Sequence, residues 1–75
     1  MGQKTVAEMT SGQTAVIAGF DNPELANKLL EMGFLPGAVI RFNFRAPLGD
    51  PLCVTVGSID LSIRVEEAKN IFVLE

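Results

Sequence analysis

Histidine, tyrosine and tryptophan are absent from this sequence, and its one cysteine is Cys53. Nucleophilic catalysis needs a base beside the nucleophile, and no Ser-His or Cys-His arrangement can be assembled here. Cys53 falls within an alternating stretch, in phase with Thr55 and out of phase with Leu52 and Val54. A cysteine in that position behaves as a small hydrophobe. Paired carboxylates can perform acid–base work, but the candidates Glu66 and Glu67 are adjacent, so on a helical turn they diverge by about 100°. That describes a solvated surface pair. Among the other oxygen ligands, Asp21, Glu24, Asp50, Asp60 and Glu75 lack the Asp-x-Asp-x-Asp-Gly spacing of a calcium loop. The common zinc sites need several Cys and His ligands, and ferrous iron favours imidazole. We therefore expect no catalytic residue, no cofactor and no resident metal.

Binding chemistry is restricted as well. Gly12, Gly19, Gly33 and Gly37 form no G-x-G-x-x-G fingerprint, and no Gly-Lys-Ser or Gly-Lys-Thr follows a glycine-rich loop. Six Lys plus Arg against nine Asp plus Glu give a net charge of -3. Nucleic-acid binders need a basic face to displace counterions, and single-strand readers add stacking aromatics. Nucleic acid is not an expected partner. Arg41 and Arg45, with Asn43 between them, make a polar strip that reads either as the solvent face of a strand or as a rim for an acidic partner.

The elements that would position these residues come from periodicity. Seventy-five residues predict one domain over 1–75, and 48% hydrophobic residues supply its core without any intrachain disulfide. The first twelve residues offer Val6 and Met9 as isolated apolar anchors and Ser11-Gly12 as a turn. Thr14 to Phe20 reads as a strand, with Gly19 marking a bulge or a bend. A helix of about eleven residues comes next, capped by Asp21 or Asn22, with Pro23 at its first position and Gly33 closing it. Leu25, Ala26, Leu29, Leu30 and Met32 share its apolar arc. Leu35-Pro36-Gly37 specifies a type II turn.

After that turn Ile40, Phe42, Phe44 and Ala46 alternate with Arg41, Asn43 and Arg45, as in a half-buried antiparallel strand. Pro47 to Pro51 is a loop. Leu52, Val54 and Val56 form the inner face of the next strand, and Gly57-Ser58 suits a type II′ hairpin turn into Ile59–Arg64. Val65–Asn70 reads as one helical turn and Ile71–Leu74 as a terminal strand. The fold class is therefore mainly β: five or more short antiparallel strands with one inserted α-helix, closed into a small barrel that removes exposed edges.

No apolar run approaches the roughly 20 residues that span a bilayer. The start, Met1-Gly2-Gln3-Lys4-Thr5, is no signal peptide, and Val6 stands where a myristoylation motif takes Ser or Thr. A cytoplasmic protein with a reduced thiol is the expectation. What remains is apolar surface in turns. Met32-Gly33-Phe34-Leu35-Pro36-Gly37 places two large hydrophobes in a turn, where either Phe34 or Leu35 plugs the end of the core. Leu48 sits at the tip of the loop Leu48-Gly49-Asp50-Pro51. Exposed apolar area of this kind marks a binding site, so both segments are candidate partner-binding residues.

The run Leu29-Leu30-Glu31-Met32-Gly33-Phe34-Leu35-Pro36-Gly37 resembles the most recognisable stretch of the FeoA family. Ala46-Pro47-Leu48-Gly49-Asp50-Pro51 looks like that family's Gly-Asp-Pro loop. The tail from Ile59 through Arg64 and Ala68 to Val73 is similar to its ending, and the resemblance extends from near Val6 over nearly the whole chain. It implies an SH3-like barrel and a bacterial, cytoplasmic accessory role in ferrous iron uptake. It also implies docking on the cytoplasmic region of a FeoB-type transporter, peripheral to the inner membrane and without direct membrane insertion.

Two alternatives share the fold. One is a domain related to the C-terminal part of metal-dependent transcription repressors, acting by protein–protein contact. Such chains carry a helix-turn-helix domain upstream, and about thirteen residues precede the first strand here, so the transporter partner is favoured. The other, a peptide-binding SH3 domain, would need an aromatic-lined groove.

Overall fold

The computed structural model describes residues 4–75; Met1, Gly2 and Gln3, where a signal peptide or a myristoylation motif would begin, lie outside the described residues. The chain runs β1 (Lys4–Thr5), a 3₁₀ turn (Val6–Glu8), β2 (Thr14–Phe20), α1 (Pro23–Glu31), β3 (Val39–Arg45), β4 (Leu52–Val56), β5 (Ile59–Ile63), α2 (Val65–Ala68) and β6 (Ile71–Leu74). All six strands form one antiparallel sheet in the order β1-β6-β2-β3-β4-β5. Its inner face and the two helices enclose a single core that includes Ile17, Leu29, Phe34, Ile40, Phe42, Leu52, Val54, Ile63 and Ile71.

The sheet is not closed into the barrel expected from the strand count. β1 and β5 end the strand order and pair with β6 and β4 alone, so two edges remain. The reason lies where those edge strands stop. At the end of β1 the Thr5 N–H donates to Glu8 Oε1 at 2.8 Å, and after β5 the Arg64 N–H donates to Glu67 Oε1 at 2.9 Å. A glutamate three residues on thus takes the N–H that would have continued the ladder and turns the chain into a helical turn. Val6 and Ala68, each wholly buried, descend from these turns into the core where strands would have met.

A second departure lies within β3. Phe42 stands opposite Val54, but Phe44 stands opposite Cys53, so Asn43 is an extra residue in the ladder. The bulge reverses the inside–outside phase for the remainder of the strand. Phe44, expected on the inner face, is 54% exposed. Arg45, expected on the outer face, instead aligns with buried Leu52, and its guanidinium lies 6.0 Å from the Phe42 ring centroid. A bulge in β2, between Ile17 and Gly19, falls at Ala18, beside the glycine that signalled it. The Gly57-Ser58 turn has φ of +62° at Gly57 and no positive φ at Ser58, which is type II′ as expected.

Glu67 links the elements around the open side. Besides capping α2, its Oε2 accepts from Lys28 Nζ of α1 at 2.7 Å. That hydrogen bond, seconded by the Arg64 N–H, holds the Glu67 carboxyl below its usual value of 4.5. Between the folded and unfolded values the native state binds fewer protons, so this contribution is present above the unfolded value and is lost as pH falls through the folded one. Glu67→Gln, which can keep the cap but not the charge, should cost about 0.5–1 kcal/mol at pH 7. Thermal unfolding of the variant and the parent should converge as pH falls below the folded value.

Candidate docking surface

The first candidate segment is built by the end of α1. Asn22, not Asp21, caps the start of α1: its Oδ1 accepts from the N–H groups of Glu24 and Leu25 at 2.9 and 3.3 Å. At the other end Gly33 takes φ of +103°, the Gly33 N–H donates to Leu30 O at 3.1 Å, and the Phe34 N–H donates to Leu29 O at 3.0 Å. This is a Schellman closure, in which a glycine in the left-handed region lets the next residue fold back on the helix. Phe34 and Leu29, the residues such a closure brings into hydrophobic contact, are both completely buried. Phe34 is therefore the plug, and Leu35 is 53% exposed.

The turn that carries Leu35 is pinned on both sides. The Ala38 N–H donates to Leu35 O at 2.9 Å, and Gly37 has φ of +93°, which completes the type II turn. The Gly37 N–H then donates to Ile17 O at 2.7 Å, and Ile17 N–H returns a bond to Ala38 O at 2.9 Å. Met32 lies half-buried behind this turn, while Pro36 and Gly37 are exposed with Leu35. The result is a fixed apolar projection.

The second candidate segment, Leu48 to Pro51, is held from three directions. The Gly49 N–H closes a turn on Ala46 O at 2.7 Å, and the Ala46 N–H reaches Pro51 O at 3.0 Å. Arg45 donates to Gly49 O and to Ala7 O at 3.3 and 3.1 Å, and Asp50 Oδ1 accepts the first N–H of α2, from Val65, at 3.1 Å. Leu48 projects from this frame with 97% of its surface exposed. Arg45 is thus a structural tie, and of the expected polar strip only Arg41 stays an outward cation on the sheet.

The two segments are not brought together. The Pro-Gly turn enters β3 and the Leu48 loop leaves it, and seven strand residues span about 20 Å. The molecule itself measures 29 × 25 × 24 Å, so the projections stand nearly a full width apart.

What sequence reasoning missed lies beside the first segment. Val16 stands opposite both Leu74 and Val39 on the outer face of the sheet. These three residues are 39%, 56% and 54% exposed and form an apolar row across β6, β2 and β3. The Leu35 turn runs directly into its Val39 end. A signal existed, since Val16 is apolar where alternation with Ala15 and Ile17 calls for a polar residue.

Among the described residues no three of Cys, Asp and Glu gather into a metal-binding group, and no helix is long and apolar enough to cross a membrane. Around Cys53 the outer face carries exposed Phe44 opposite it and a set of side-chain bonds: the Cys53 Sγ lies 3.8 Å from Ser62 Oγ, and Asn43 Nδ2 donates to Thr55 Oγ1, which donates to Asp60 Oδ1.

A small SH3-like sheet with rigid apolar turns defines a module that works by contact with another protein. The FeoA domain model matches residues 4–75, and the chain belongs to the FeoA family of ferrous iron transport accessory proteins, which are not enzymes. The FeoA-like protein of Clostridium acetobutylicum is 28% identical, with TM-score 0.87 over 97% of this chain and 87% of that one. Stenotrophomonas maltophilia FeoA, a prokaryotic SH3 domain protein solved with zinc, is 32% identical, with TM-score 0.80 over 93% and 88% of the two chains. A manganese-dependent transcriptional repressor shares the fold alone: TM-score 0.88 over 100% of this chain and 37% of the repressor, at 15% identity. No curated protein shows significant similarity to the sequence.

The division between frame and projection is measurable by chemical denaturation. Phe34→Ala should lose about 3–5 kcal/mol. Gly33→Ala, whose added methyl meets no atom within 4 Å, should lose about 1–2 kcal/mol from its left-handed backbone alone. Leu35→Ala should stay within about 1 kcal/mol of the parent.

Proposed function

We propose that this chain is a single cytoplasmic domain over residues 1–75 that docks on the cytoplasmic region of a FeoB-type ferrous iron transporter and modulates its assembly or activity. The match of the family model to nearly the whole chain carries this reading. The Stenotrophomonas relative has been suggested as a ferrous iron transport activating factor, which agrees with it.

The docking residues are the end of α1 with its turn, Met32-Gly33-Phe34-Leu35-Pro36-Gly37, and the loop Leu48-Gly49-Asp50-Pro51. Within them Leu35 and Leu48 make contact, Phe34 and Gly33 hold Leu35 in place, and Asp50 holds the loop on α2. Because the two leucines stand on opposite ends of β3, the partner surface must be broad or engage the domain at two points. The row Leu74–Val16–Val39 extends the Leu35 side and makes it the larger apolar contact. Fixed turns favour such binding because little conformational freedom is lost on association.

Leu35→Ala and Leu48→Ala should each weaken binding to the purified cytoplasmic region of the cognate transporter by about five- to thirtyfold. Binding by calorimetry, with unfolding curves of each variant as control, measures this. Unaltered affinity in both folded variants removes the site assignment, and no binding by the parent protein removes the partner.

A further inference from the structure

Among the described residues β5 is an outer strand, bonded to β4 on one side only. The two-residue turn at Gly57-Ser58 makes Val56 and Ile59 a hydrogen-bonded pair, and the antiparallel pattern alternates from there. Ile59, Leu61 and Ile63 therefore direct their backbone groups to β4. Asp60 and Ser62 direct theirs away from the sheet. At the next outward residue, Arg64, the N–H is taken by Glu67 Oε1 and the carbonyl accepts from the N–H groups of Glu67 and Ala68. Two residues thus present four unpaired backbone groups along one straight edge.

Such edges are normally blocked by lysine, proline, a bulge or a covering element. β5 reads Ile-Asp-Leu-Ser-Ile, and its register with β4 is unbroken. Nor is β5 cut short like the opposite edge, β1, which has two residues. We propose that a second copy of this chain pairs on this edge, β5 against β5 and antiparallel, about a two-fold axis through Leu61.

The edge is self-complementary in that register. With Leu61 opposite Leu61, Asp60 of each copy faces Ser62 of the other, and all four outward backbone groups on each strand find partners. A register centred on Asp60 sets carboxylate against carboxylate. One centred on Ser62 sets Asp60 against Arg64, whose backbone groups are already engaged. The Leu61 register also covers apolar surface, because Ile59, 59% exposed, comes to lie opposite Ile63 of the second copy. On the outer face Asp60 keeps its Oδ1 on Thr55 at 2.7 Å and turns Oδ2 to the serine hydroxyl of the second copy.

Five residues of edge bury well under the roughly 800 Å² per partner of a standard interface, so the dimer is weak, with Kd on the order of 0.1–1 mM. Sedimentation equilibrium of the full chain from about 0.02 to 2 mM should show the apparent mass rising from one chain towards two. Amide exchange at Asp60 and Ser62 should slow with concentration. Ser62→Lys places a lysine opposite Asp60 at two symmetric points and should tighten the dimer about three- to tenfold. The double variant Asp60→Lys, Ser62→Lys should abolish it. Ser62→Pro removes a donor that the monomer fold does not use, so it should also abolish pairing while leaving a cooperative thermal transition. A monomer throughout this range, or weaker association of Ser62→Lys, overturns the proposal. So does protection of these amides only by a peptide strand from another protein.

Discussion

A sheet with one apolar face must have its core closed off where the edge strands end, and in this chain that constraint is met by two glutamates and not by strand pairing. Glu8 and Glu67 each reach back three residues to a backbone N–H and draw the chain out of the sheet at opposite edges. Each turn so formed lowers one small apolar residue, Val6 or Ala68, into the gap. The neighbouring elements then anchor to these turns. Lys28 of α1 bonds to Glu67, Asp50 of the loop caps α2, and Arg45 of β3 reaches Ala7. Without the reach-back, both the core and the frame of the exposed loops would lack a boundary.

The elements from Thr14 onward could be read from the sequence because local chemistry decides them, whereas β1 and the 3₁₀ turn, too short to show a period, could not. Pro23, Gly33, Pro36, Gly37 and Gly57 each impose a backbone geometry that few other residues tolerate, and the residues of β3 and β4 alternate in the sequence. Closure could not be read, since counting strands does not say which edges meet. That choice rests on whether the N–H of Thr5 and Arg64 bonds to a strand or to a side chain. The bulge at Asn43 was equally hidden. Phe42-Asn43-Phe44 keeps its alternation in the sequence while the backbone inserts a residue, so the pattern continues and the face changes.

For the two candidate segments, exposure depends on rigidity. A leucine in a mobile loop can fold back onto the core; one in a turn bonded at both ends cannot. Leu35 is fixed by Gly37 and Ala38 bonding to β2, and Leu48 by a frame tied to α2 and to the 3₁₀ turn. From turn context, the sequence marked Leu48 and the pair Phe34 and Leu35, without deciding which of the pair would be exposed. It missed Val16, Val39 and Leu74, because each belongs to a strand whose apolar residues read as core. Only the register, which sets the three side by side, reveals them as surface.

The same sheet serves a manganese-dependent repressor, where the backbone matches closely and the sequence does not. A fold shared at that distance carries no function with it. What can differ between two such domains is the set of side chains that the frame leaves outside. In this chain those include aliphatic residues at turns and along one outer row, and Phe44 opposite Cys53 and its serine, with no imidazole among them. Aliphatic surface transmits nothing by proton or electron transfer. It acts by being covered, and the distance between the two leucine projections is set by the strand that separates them.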